Sequence, residues 1–203
     1  AAAPAPGTRA AALAARWREF GADAASSPLV TRQRGRYEFG VSAGAGVNAF
    51  AMPGGFVFAT RGLLERLERD EDALLFVLGH EIGHVELGHC ADGWRLREGR
   101  GPGGAVAGAV LSVGRLLAEL HFSEVQELEA DAFGARLVAS RGRDPAGGLR
   151  ALGALGLTGD TATKRDPGAV AVETLADYFR THPGSWERRA ALERAIAGLR
   201  RTP

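Results

Sequence analysis

Lysine is nearly missing from this chain: Lys164 is the only one, and almost all positive charge is arginine. Lys+Arg 25 against Asp+Glu 24 leaves a formal net charge of +1, too small to argue for a nucleic-acid or strongly anionic partner. Cysteine is reduced to Cys90. No intramolecular disulfide can form, and cysteine usage leaves the redox compartment open. Long hydrophobic runs are missing too: no stretch reaches the roughly 20 apolar residues of a membrane span. The nearest, Gly103 to Gly114 (GGAVAGAVLSVG), is short and is ended by Arg115. AAAPAPGTRA at the start has no apolar h-region behind it. It reads as a flexible Ala/Pro leader rather than a signal peptide.

What is present is ordinary for a folded domain. The apolar share is 45% and the charged share 24% over 203 residues, which suits one domain, 1–203, with a real core. Thr8 to Ala25 has helical spacing, with Leu13, Trp17 and Phe20 on one stripe, and Ser26-Ser27-Pro28 ends it. Tyr37–Val41, Val47–Ala51 and Phe56–Thr60 are short beta-branched and aromatic runs with Pro53-Gly54-Gly55 between the last two. They predict a small antiparallel sheet with a hairpin. Thr60 is a candidate N-cap for a helix carrying Leu63, Leu64 and Leu67. A further helix from about Asp70 runs through Leu74, Phe76 and Leu78 into HEIGH at 80–84. Gly-rich segments 99–108 and 142–159 read as loops. Helices are expected over Val110–Leu120, Ser123–Ser140, Val172–Arg180 and from Ser185 onward. Helix, small sheet, then helices makes the fold class α+β and mainly helical.

HEIGH is the sharpest chemical signal. Positions i and i+4 share a helix face, so His80 and His84 can aim their imidazoles at one point. Neutral imidazole is a good Zn²⁺ ligand. Glu81 sits one step round, able to reach a metal-bound water but badly placed to ligate, which suits a general base. A catalytic zinc needs a third protein ligand and one open position. Cys90 falls where metzincins place theirs, but Leu87 stands where that motif needs glycine, and Gly88 comes one residue late. His89 lies half a turn off the His80 face and reads as a buried or hydrogen-bonded structural histidine. His121 stands alone. In ELEAD at 127–131, Glu127 and Asp131 share a helix face while Glu129 points elsewhere. One carboxylate can bind the metal and the other can accept the free ring N–H of a ligand histidine.

HEIGHVELGH, FSEVQELEADAFG and THPGSWERR together resemble the CAAX-endopeptidase family of gluzincins, in its soluble bacterial BepA-like and HtpX-like branch. VNAFAMPGGFVFATRGLL upstream is similar as well, so the likeness spans roughly residues 47 to 190. The resemblance implies a zincin-like zinc endopeptidase with His80, His84 and Glu127 as zinc ligands. It implies Glu81 as the base and Asp131 as the partner behind a ligand histidine. His182 lies in the family's His-Pro element, as an oxyanion donor or as a group that swings onto the metal and holds the enzyme latent. Arg188, six residues later, orients the site through a carboxylate, and Tyr178 is a weaker oxyanion candidate. Asn48, Ala49, Phe50 and Ala51 are expected to form the edge strand that pairs with an extended polypeptide substrate, suiting unfolded or misassembled proteins. These 203 residues include neither the multi-span membrane helices nor the tetratricopeptide extension of some members. The implied setting is the bacterial cell envelope, periplasmic, with possible envelope-associated partners. The alternatives are a latent or non-cleaving zinc-stabilised binding module, and a metzincin-like site using Cys90.

Overall fold

The computed structural model describes residues 7–42, 44–90, 122–157, 182 and 186–201. The helices expected over 110–120 and 172–180, the loop over 99–108, and His121 and Tyr178 lie outside the described residues. Helix α1, Arg9–Ala25, starts where Thr8 accepts a hydrogen bond from Ala11 N at 3.2 Å. It buries Leu13, Ala14, Trp17, Gly21 and Ala24, one stripe at helical spacing.

Strands β1 (Glu38–Ser42), β2 (Ala49–Met52) and β3 (Phe56–Thr60) form one sheet in the order β1-β3-β2. The β2–β3 pair is the expected antiparallel hairpin, turned by Gly54 and Gly55 at φ +96° and +93°, a region open to glycine. The sheet is mixed rather than wholly antiparallel, because β1 pairs with β3 in parallel. β1 and β2 run in opposite directions yet are not neighbours, a long-range choice that residue patterning does not carry. β2 is thereby an edge strand, with Ala49 and Ala51 buried.

Thr60 ends β3 and caps α2 (Arg61–Arg66), its hydroxyl accepting from Leu63 N at 3.2 Å. Asp70 caps α3 (Glu71–Glu86) in the same way, 3.0 Å from Ala73 N. Every residue of α3 from Ala73 to Val85 is buried. A helix buried on all sides belongs at the centre of a fold, and α3 packs against α1, β2 and both of the next two helices described. At its end, Glu86 accepts from the backbone N–H groups of Thr31, Arg32 and Gln33 at 2.7, 2.7 and 3.1 Å, and from Tyr37 Oη at 2.8 Å. That carboxylate staples the segment leading into β1 onto the helix.

Helix α4, Glu124–Ser140, opens with a capping box between Ser123 and Gln126, which satisfies two backbone donors reciprocally. It crosses α3 through a seam of small residues. A Cβ on Gly79 would stand 3.1 Å from Gly134 Cα, and one on Gly83 would stand 3.3 Å from Ala130 Cα. The expected loop over 142–159 instead contains α5, Gly147–Ala154. Its first two glycines serve packing rather than flexibility: a Cβ on Gly147 would meet Asp72 C at 2.5 Å, and one on Gly148 would meet the Phe76 ring at 2.7 Å. The last helix, α6 (Trp186–Leu199), lies against α4 and α5 and buries Arg188, Leu192 and Ile196.

Gly134→Val tests the seam. A Cβ at residue 134 would stand 3.1 Å from both His80 N and Phe76 O, and valine adds two methyl groups beyond it. Overpacking of this kind costs about 1–3 kcal/mol, read as a lower urea midpoint. An unchanged midpoint would show that the crossing tolerates extra bulk.

Candidate metal centre

The seam explains why side chains from two helices meet. His80 and His84 stand one residue beyond Gly79 and Gly83, so the same face of α3 that touches α4 turns both imidazoles toward it. On α4, Glu127 and Asp131 flank Ala130 on the matching face. His80 Nε2 and His84 Nε2 are 3.0 Å apart. Glu127 Oε2 lies 3.5 Å from the first, and its Oε1 3.4 Å from the second. His182 joins them, with Nδ1 3.2 Å from His80 Nε2 and 3.0 Å from Glu127 Oε1. All four side chains are buried, and one ligand atom from each lies within 4.8 Å of the others. Donors about 2.0–2.2 Å from a tetrahedral ion stand about 3.3–3.6 Å apart. The donor set and its spacing therefore fit a small divalent cation.

The outer partners are equally specific. His80 Nδ1 is 2.9 Å from Asp131 Oδ1, the carboxylate–imidazole contact that fixes a ligand tautomer. Arg188 holds Asp131 through two contacts of 2.8 Å, and its Nη1 lies 2.7 Å from Glu127 Oε2. One guanidinium thus neutralises two buried carboxylates. Burial pushes Asp131 upward, but Arg188 and His80 outweigh it and hold the group below its ordinary value. At Glu127 burial is likewise overcome, by His182, His84 and His80. Burial drives His84 well below the usual imidazole range, leaving it neutral with a lone pair to give. His182 goes the other way, because Glu127 and Glu81 outweigh its burial.

Glu81 is different. It is fully buried, and neither carboxylate oxygen makes a hydrogen bond among the described residues. His182 Nε2 stands 3.4 Å from its Oε1. Burial raises its pKa, as suits a group that both takes and returns a proton near neutrality. A buried carboxylate without hydrogen bonds is unfavourable by itself, and water or substrate is the partner that suits it.

Cys90 is not part of the cluster. Its Sγ donates toward Ala51 O at 3.7 Å, and burial pushes the thiol up to about 12. It is a small core residue under β2, and the metzincin-like arrangement has no support in the geometry. His89 is buried and hydrogen-bonded, as expected, with Nδ1 3.0 Å from His84 Nδ1. Glu129 faces away from the ion-sized gap but reaches His89 Nε2 at 3.1 Å, a contact its spacing in ELEAD did not suggest. Phe122 stacks on the His84 ring at 3.7 Å between centroids. Its only sequence signal is an aromatic just before the Ser123 cap.

Comparison with known proteins agrees with this geometry. The sequence model of Peptidase family M48 matches residues 11–196. The chain is similar to Metalloprotease LoiP of Escherichia coli (strain K12), 31% identical over 154 residues, which is 70% of this chain and 56% of that protein. It is similar to Mitochondrial metalloendopeptidase OMA1 of Arabidopsis thaliana, 31% identical over 164 residues, 73% of this chain and 29% of that one. Metalloprotease YcaL of Escherichia coli (strain K12) is 30% identical over 165 residues, 74% of this chain and 59% of that protein. The chain thus spans little more than half the length of these relatives, or less.

Arg188→Leu would leave Glu127 and Asp131 buried without their cation. Breaking a buried pair in this way costs about 3–5 kcal/mol, measurable by urea unfolding of metal-free protein. A loss below about 1 kcal/mol, the scale of an exposed pair, would mean that the guanidinium is not what balances them.

Proposed function

The chain belongs to Peptidase family M48, and from that membership and the converging side chains we propose that it is a zinc-dependent endopeptidase of the gluzincin type. The observation that carries this reading is the meeting of His80 Nε2, His84 Nε2 and the Glu127 carboxylate within 3.0–3.5 Å, beside an unbonded Glu81. Two imidazoles and one carboxylate are the ligand set of a catalytic rather than a structural zinc. When bound, the ion supplies Lewis-acid polarisation of the scissile carbonyl and acidity to water.

The protein's own groups do the rest. Glu81 accepts a proton from the attacking water on a carboxylate oxygen and passes it to the leaving amine nitrogen. Asp131 and Arg188 hold His80 and Glu127 in place without touching substrate. The outer edge of β2, paired with no strand among the described residues, is a template for an extended backbone, with Asn48, Ala49, Phe50 and Ala51 as the pairing segment. Main-chain pairing is largely indifferent to sequence, which suits unfolded or misassembled polypeptides in a bacterial envelope, on the periplasmic side. No helix among the described residues is long and apolar enough to cross a membrane.

A second reading has its own observation. His182 Nδ1 sits among the candidate ligand atoms, 3.0 Å from Glu127 Oε1. In this conformation His182 would serve the ion as a further protein donor beside His80, His84 and Glu127, and would hold the enzyme latent. Once withdrawn, its ring becomes a donor for the oxyanion of the tetrahedral intermediate.

Glu81→Gln should bind zinc like the parent while casein cleavage falls about 10²–10⁴-fold. Retained cleavage would remove Glu81 from its role. His182→Ala separates the two readings: faster cleavage marks a latch, and slower cleavage with zinc retained marks an oxyanion donor. No cleavage by either parent or variant, with zinc retained, would leave a zinc-stabilised binding module.

A further inference from the structure

We propose that His89 and Glu129 form a positioning relay that fixes the tautomer and ring plane of His84, the counterpart of what Asp131 does for His80. The inference rests on the metal-site reading above, because it assumes that His84 gives its Nε2 lone pair to the ion. That nitrogen faces the cluster, 3.0 Å from His80 Nε2 and 3.4 Å from Glu127 Oε1. A ring nitrogen that donates its lone pair carries no proton, so the single proton of neutral His84 is on Nδ1.

Every later direction follows. His84 Nδ1 lies 3.0 Å from His89 Nδ1. Two nitrogens in contact need one donor and one acceptor, so His89 Nδ1 must be bare. The proton of neutral His89 is then on Nε2, which stands 3.1 Å from Glu129 Oε2. An ionised carboxylate only accepts. The opposite tautomer of His89 would set two N–H groups face to face and turn a lone pair toward the carboxylate. Glu129 therefore selects the form of His89 whose Nδ1 can accept a hydrogen bond from His84 Nδ1–H.

Two local features build the relay. Gly88, at φ +90°, turns the chain back after α3 so that His89 falls beside His84 rather than continuing round the helix. Phe122 stacks on the His84 ring, with planes 20° apart, so the imidazole is held on its face as well as at Nδ1. Neither nitrogen of His89 is available to an ion, since both are engaged, and it is not among the four converging ligands. Glu127, Glu129 and Asp131 then share one task from a single helix: the first enters the site, and the other two hold its histidines from behind.

Zinc affinity, measured by competition with a chromophoric chelator, tests the relay without reference to turnover. Loss of such an outer partner weakens metal binding about 10–100-fold, the drop expected for His89→Leu and Glu129→Leu. His89→Asn, which offers an amide oxygen as acceptor near the Nδ1 position, should recover most of that loss, as a residue that merely fills space would not. The double variant His89→Leu/Glu129→Leu should bind no more weakly than His89→Leu alone, since members of one chain are not additive. Should His89→Leu fail to fold, Glu129→Leu carries the same test, its side chain being 54% exposed. Parental zinc affinity in both leucine variants, or an asparagine variant as weak as leucine, would overturn the relay. A parent chain that binds no zinc would instead sink the metal-site reading, and the relay with it.

Discussion

The close crossing of α3 and α4 is the constraint on which the rest depends. Glycine at 79, 83 and 134 and alanine at 130 remove the side chains that would hold the two helices apart. Interaxial distance between packed helices is set by the residues at the contact. With the backbones this near, a glutamate on one helix reaches between two imidazoles on the other. A larger residue in the seam would push the helices apart, and the ligand atoms would no longer share one point.

A second constraint follows from burying so many ionisable groups together. Glu81, Glu127, Asp131, His80, His84, His182 and Arg188 are all removed from water. Such a cluster is tolerable only if each charge meets an opposite one, and α6 supplies the cation from the far end of the chain. Arg188 bridges the Glu127 carboxylate of the cluster and the Asp131 carboxylate that contacts His80. Glu81 is the exception that defines the site. Of the three buried carboxylates it alone has no hydrogen bond among the described residues, which leaves both its oxygens unengaged for the role proposed above. Preorganised groups of this kind are destabilising for the fold and useful for chemistry.

Much of this was legible in the sequence. Thr60 caps its helix as expected, the helices expected from about Thr8, Asp70 and Ser123 begin there, and the i, i+4 spacing of His80 and His84 needs only a helix to be read. The α+β class followed from the order of the periodic segments. Gly147 and Gly148 misled, because glycine signals a loop and close packing equally, and only their contact with Asp72 and Phe76 separates the two. The parallel pairing of β1 and β3 was also out of reach, since strand patterning shows a buried face but not a neighbour's direction.

The boundary runs between local and distant information. Residue spacing determined which side chains could share a helix face: the histidine pair, Glu81 one step away, and Glu127 with Asp131. It left the third donor open among Cys90, His89, His121 and Glu127, and a family resemblance favoured the last. Tertiary structure alone decided that Glu127 lies beside the pair, that Cys90 turns to Ala51 instead, and that His182 enters the cluster from 102 residues beyond His80. It alone joined His89 to Glu129. Helical periodicity is a property of a few consecutive residues, whereas the meeting of two helices depends on packing between segments that no spacing along the chain records.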